Sequence, residues 1–117
     1  MLPKTTSTEE IIEAARKSEL YSHLILQLKK DFTLANLMLD VPAETPPRDL
    51  KKTILKELDF LIKEDMAGLL NLLYIIDLSE NTFKKNIKDR SLMSSQELCF
   101  LILKRTWQKV WYRDHYS

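Results

Sequence analysis

The stretch Met66–Leu78 constrains the fold more than any other part of the chain, because it is apolar on almost every side when wound as a helix. Its one charged side chain is Asp77. In a globular chain, a helix that is apolar all round has to be buried by its neighbours. The stretch is also shorter than the ~20 apolar residues that are needed to cross a bilayer. We therefore predict a buried central helix at about 66–78, with the remaining helices packed around it.

A single glycine among 117 residues indicates an all-α fold. Sheets and hairpins need turns at positive φ, where glycine is the usual residue. The length is that of one domain, and 44% hydrophobic with 30% charged residues is typical of a globular chain. The sequence therefore predicts a single compact bundle of five or six helices over residues 8–117. Residues 1–7 are expected to be a disordered lead-in.

Two capping boxes mark predicted helix starts. Ser7 is followed by Glu10, and Ser94 by Glu97, the spacing at which serine and glutamate side chains satisfy the free amides of a first turn. The apolar pattern breaks near Ser18–Glu19, which separates a short first helix from a second one. A proline-rich connection then ends the second helix and leads into the third.

No group of residues in the sequence indicates catalysis or metal binding. Neither His23 nor His115 stands in a metal-ligand spacing with Cys99. Glu19 precedes His23 by four residues, but the sequence contains no Glu-x-x-His motif that would complete a site in a helical bundle. With one glycine, a glycine-rich phosphate-binding loop is excluded. We therefore predict a non-enzymatic protein with no cofactor and no metal ion.

The cysteine content and the first residues bear on the compartment. A single cysteine cannot form an internal disulfide, and the first residues carry no continuous apolar region of the kind found in signal peptides. We therefore expect a cytoplasmic location and no association with a membrane.

Basic side chains are concentrated in the last third of the chain. Residues 1–80 contain 10 basic and 14 acidic side chains, a net charge of −4, whereas residues 81–117 contain 8 and 3, a net charge of +5. Arg105, Lys109 and Arg113 recur every four residues and would form a basic ridge along the last helix. The asymmetry indicates either a basic surface that binds nucleic acid or an attraction between the two halves, across the fold or across a dimer.

The segment Ile75–Lys88 resembles the core of a helix-turn-helix. Asp77 stands at the position of the turn glycine, Ser79 would cap a short second helix at about 80–88, and Phe83 would be its buried anchor. The same pattern fits a capped corner followed by a short amphipathic helix. The DNA-binding alternative predicts affinity for duplex DNA that falls steeply with salt, because phosphate contacts release counterions. The side chains facing DNA would be Asn81, Lys84, Lys85 and Lys88, with support from Arg105, Lys109 and Arg113.

Two stretches, Leu70–Glu80 and Leu101–Trp111, together resemble a family of small bacterial proteins with no assigned activity. The resemblance implies a compact all-helical cytoplasmic protein. It brings no catalytic residue and no cofactor to this chain.

Three apolar residues fall outside the main apolar stripes of their helices, namely Leu26, Phe60 and Ile102. Exposed apolar patches tend to be contact sites. We therefore predict that these residues belong to an interaction surface and that the protein is a protein–protein interaction module or a homo-oligomer. Its partner would be an unidentified protein or a second copy of the chain.

Overall fold

A computed structural model of the chain describes residues 5–78 and 94–116. These residues form five α-helices and no strand, which confirms the predicted all-α class. The Cα radius of gyration is 13.6 Å, close to the ~13 Å expected of a compact domain of this size. The short helix predicted at 80–88 lies outside the described residues. The helices are α1 (Thr8–Lys17), α2 (Tyr21–Leu34), α3 (Pro47–Glu64), α4 (Met66–Ile76) and α5 (Ser95–Tyr116).

The serines of both predicted capping boxes cap the first turns of their helices. The Ser7 hydroxyl accepts a hydrogen bond from the Glu10 amide at 3.1 Å, and the Ser94 hydroxyl accepts one from the Glu97 amide at 3.1 Å. The Glu10 carboxylate in turn accepts hydrogen bonds from the amide and the hydroxyl of Thr6, at 2.8 and 3.0 Å. Thr6 and Ser7, which the sequence prediction placed in the lead-in, therefore take part in the start of α1.

Three helices are followed by a residue other than glycine in the left-handed region. These residues are Glu19, Asn36 and Asp77, with φ angles of 60°, 60° and 70°. In each case the next amide bonds back to a carbonyl five positions earlier, at 2.8, 2.8 and 3.1 Å, as in a Schellman motif. The predicted break near Ser18–Glu19 is thereby confirmed, and the helix predicted at about 66–78 ends at Ile76. Neither turn uses glycine.

The central helix of the bundle is α5, which contacts each of the other four helices. At 22 residues it is about 33 Å long, whereas the 11 residues of α4 span about 16 Å. The prediction that α4 is the buried central helix is wrong, because its neighbours cover one face of it and leave another face in solvent. The buried residues of α4 are Leu69, Leu72, Leu73 and Ile76. Those of α5 are Leu98, Cys99, Ile102, Leu103, Thr106, Trp107, Val110 and Trp111.

Ile102 lies in one of two adjacent buried rows of α5 and is fully buried, so the prediction that it is exposed is wrong. The row also contains Thr106, whose hydroxyl donates a hydrogen bond to the Ile102 carbonyl at 2.7 Å. With its hydroxyl satisfied by its own helix, this threonine can be buried among apolar neighbours. In the sequence, a polar residue in this row suggests that the row lies at the edge of the apolar stripe, which is why Ile102 was predicted to be exposed.

Candidate interaction surface

One face of α4 is exposed to solvent, and we refer to its residues Met66, Ala67, Leu70, Asn71 and Tyr74 as the α4 face. The exposed fractions of the three large side chains are 46% for Met66, 42% for Leu70 and 80% for Tyr74. The helix contains no charged residue over its whole length. The α4 face is therefore an uncharged and mostly apolar surface in contact with water.

The first turn of α4 is fixed by Asp65, the one residue that connects α3 to α4. Its carboxylate accepts a hydrogen bond from the Gly68 amide at 2.9 Å. A Cβ atom at position 68 would overlap this carboxylate. Glycine at this position therefore lets the side chain of the cap approach the helix closely.

The last turn of α4 is held by two cations of α5. Arg105 Nη2 lies 3.1 Å from Asp77 Oδ2, and Lys109 Nζ donates a hydrogen bond to the Ile75 carbonyl at 3.5 Å. Cations next to the C-terminal carbonyls of a helix are favoured by the helix dipole. Both ends of α4 therefore make side-chain hydrogen bonds, the first through its own cap and the last through α5.

Leu26 on α2 and Phe60 on α3 are exposed, as predicted, with exposed fractions of 57% and 54%. Both helices pack against α4. Whether the two side chains bind a partner stays a prediction. The sequence reasoning missed the α4 face because it took α4 to be buried on every side. The available signal was its composition, since a helix that is apolar on every side is covered completely only if neighbours surround it, and the three helices that contact α4 leave one of its faces uncovered.

The basic ridge of α5 faces polar side chains of α2 as well as the end of α4. Arg113 Nη2 donates a hydrogen bond to Gln27 Oε1 at 2.8 Å, and Lys109 Nζ lies 3.5 Å from Asp31 Oδ2. Gln27 and Asp31 are both buried and are joined by a hydrogen bond of 3.0 Å. At these residues, the basic side chains of the C-terminal part of the chain attract polar and acidic side chains of the N-terminal part.

The helix-turn-helix interpretation stays a prediction. Its contact residues Asn81, Lys84, Lys85 and Lys88 lie outside the described part of the chain. Asp77 has the positive φ that the turn position requires, but a left-handed residue ends roughly a third to a half of all helices. The basic ridge, which would support contact with DNA, is engaged with α2 and α4.

Reactive and metal-binding groups are sparse in the described residues. No group of three or more His, Cys, Asp or Glu side chains among them is placed to hold a metal ion. A surface cavity of about 280 Å³ lies at the first turns of α1 and α5, where Lys51 pairs with Glu9. The hydrogen bond from Lys51 lowers the pKa of Glu9, so both charges of the pair are engaged with each other. Burial raises the pKa of the Cys99 thiol to about 11.

We expect Cys99 in the folded protein to react with a disulfide reagent at pH 8 about two orders of magnitude more slowly than an exposed thiol. The raised pKa leaves little thiolate at this pH, and the side chain is fully buried. The measurement is the rate of thiol release, with a Tyr74→Cys variant as the exposed reference and urea-unfolded protein as the second reference. Equal rates at the two positions in the folded variant would contradict the expectation.

Comparisons with protein-family models, with curated proteins and with solved structures gave no match. The resemblance to a family of small bacterial proteins therefore stays a prediction. Within the described residues, the helices are all too short or too polar to span a bilayer. The functional conclusion accordingly rests on the geometry of the α4 face.

Proposed function

We propose that the protein is a non-enzymatic interaction module that binds another protein chain through the α4 face. The observation that carries the proposal is a helix without a charged residue that leaves Met66, Leu70 and Tyr74 in solvent. Exposed helix faces normally carry charged residues, as α3 does with Lys52 and Lys56. An exposed apolar patch is typical of a contact site.

The residue types and the rigidity of the α4 face support the same proposal. Tyrosine and methionine are enriched in protein interfaces, and tyrosine is a frequent hot-spot residue. The Asp65 cap and the α5 cations Arg105 and Lys109 fix the ends of the helix. A surface that is ordered before binding loses less conformational entropy when a partner arrives. Tyr74, the most exposed of the three large side chains, is the expected anchor.

The proposal assigns no catalytic role. It is supported by the raised pKa of Cys99, which disfavours a nucleophilic thiolate, and by the pairing of Lys109 and Arg113 with side chains of α2. The proposal includes a cytoplasmic location, which is supported by the single cysteine and by the lack of a continuous apolar region in the first residues.

The proposal is tested by placing a photo-crosslinking phenylalanine analogue at position 74 in the full chain and irradiating intact cells. We expect a discrete adduct with one protein chain, identified by mass spectrometry, and its loss when Leu70→Lys is added. The identified chain should also bind the purified protein and lose this binding with Leu70→Lys, because a charge would then be buried in the contact.

The matched control carries the same analogue at Lys52, which is exposed on α3. Identical adducts at positions 52 and 74, or no adduct at position 74, would overturn the proposed function.

A further inference from the structure

Two rows of side chains run along the α4 face. Met66, Leu70 and Tyr74 are spaced by four residues and form a high ridge, whereas Ala67 and Asn71, also four residues apart, form a lower row beside it. Rows at this spacing are the ridges and grooves by which helices pack on each other, at a crossing angle of about −50°. The α4 face therefore offers a ridge and a groove that run in the same direction.

Resting on the proposed function, we propose that the partner on the α4 face is a second copy of this chain, related by a two-fold axis near Leu70. With this axis, the ridge of each copy packs into the groove formed by the lower row of the other copy. Met66 and Tyr74 are equally far from Leu70 along the helix, so Met66 lies opposite the partner's Tyr74 at both ends of the contact. A thioether against an aromatic ring is a favourable contact, and a two-fold axis forms it twice.

Charge favours this pairing of identical surfaces. The α4 face has no charged residue, so the two copies bring no like charges together within it. In an antiparallel pair, the positive N-terminal end of each helix dipole lies next to the negative C-terminal end of the other. Asp77, next to the C-terminal end, is already paired with Arg105 of its own chain.

The size of the face sets the expected strength of the dimer. Covering the exposed parts of one tyrosine, one leucine and one methionine hides on the order of 400 Å² per copy. This is about half of the ~800 Å² per partner found in standard stable interfaces. We therefore expect a weak, reversible dimer.

The test is sedimentation equilibrium of the full chain from about 1 µM to about 1 mM, a range that reaches the concentrations at which weak dimers form. The apparent mass should rise from the 13.8 kDa of one chain towards twice that value. Leu70→Lys should raise the dissociation constant at least about tenfold, because it buries an unpaired charge. Leu34→Lys, the same change at an exposed leucine at the end of α2, should leave the dissociation constant unchanged.

A second variant tests the position of the axis. In Leu70→Cys the two introduced thiols face each other across the axis, so mild oxidation should give a disulfide-linked dimer. Lys52→Cys, exposed on α3, should give none above the level expected from random collision. Cys99 is buried and stays out of the reaction.

A mass of one chain at every concentration, or a dimer that is insensitive to Leu70→Lys, would overturn the second copy as the partner. If the purified chain is monomeric while position 74 still forms a specific adduct with a different protein in cells, the proposed function stands and the identity of the partner is wrong. If both experiments are negative, both proposals fall.

Discussion

Replacing Trp107 by alanine is expected to lower the free energy of unfolding by about 3–5 kcal/mol. The indole is buried in α5, the helix that contacts the other four, so its removal leaves a cavity where the helices meet. Domains of this kind have about 5–15 kcal/mol of stability in total, so the variant would be partly unfolded or close to it. The measurement is urea unfolding followed by circular dichroism.

A second variant at this position separates packing from hydrogen bonding. Within the described structure, the Trp107 indole N–H has no hydrogen-bond partner. Trp107→Phe removes this unpaired donor together with part of the volume, so we expect it to lower stability by about 1–2 kcal/mol. Tyr116→Ala, at an exposed aromatic residue near the end of the same helix, should change stability by less than about 0.5 kcal/mol. A loss below 1 kcal/mol in Trp107→Ala would contradict the central position of α5.

Replacing Asp31 by leucine is expected to lower the free energy of unfolding by about 2–3 kcal/mol. The substitution leaves the Lys109 ammonium and the Gln27 amide without their shared acceptor. The double variant Asp31→Leu/Lys109→Met removes the unpaired charge but still leaves the Gln27 amide without its acceptor, so we expect it to be about 1 kcal/mol more stable than Asp31→Leu and less stable than the parent protein. A double-mutant cycle from urea unfolding measures the coupling.

The matched control is the exposed pair of Glu13 and Arg16, both on α1. Alanine at either position should change stability by about 0.5 kcal/mol or less, because exposed ion pairs are screened by water. If the Asp31–Lys109 pair behaves like this surface pair, Lys109 does not stabilise the fold through Asp31.

The helices themselves were predictable because their signals are local. The predicted signals act on backbone groups within a few residues, as at the capping serines Ser7 and Ser94 and at the break at Ser18–Glu19. Such signals can be identified one segment at a time, without knowing how the segments pack.

The arrangement of the helices was harder to predict because it depends on pairs of segments that are distant in sequence. The sequence shows that α4 is apolar, but not how many neighbours can reach it. It also shows that Lys109 and Arg113 share a face of α5. Their partners Asp31 and Gln27 lie 78 and 86 positions away, and local spacing does not identify them.

The exposure of candidate site residues was predictable where the apolar stripe was simple. Leu26 and Phe60 lie outside one clear stripe of their helices and are exposed. The burial of Ile102 was missed because α5 contacts helices on more than one side and buries two adjacent rows. The α4 face was missed for the opposite reason, because the three helices that contact this strongly apolar helix cover only one side of it.

The position of α5 in the chain has a consequence for biosynthesis. The helix on which the other four pack is the last of the five to leave the ribosome. Until then the nascent α1–α4 lack the surface against which their apolar faces pack, and transiently exposed apolar surface favours aggregation. The core of this protein can therefore be completed only after translation of Ser95–Tyr116.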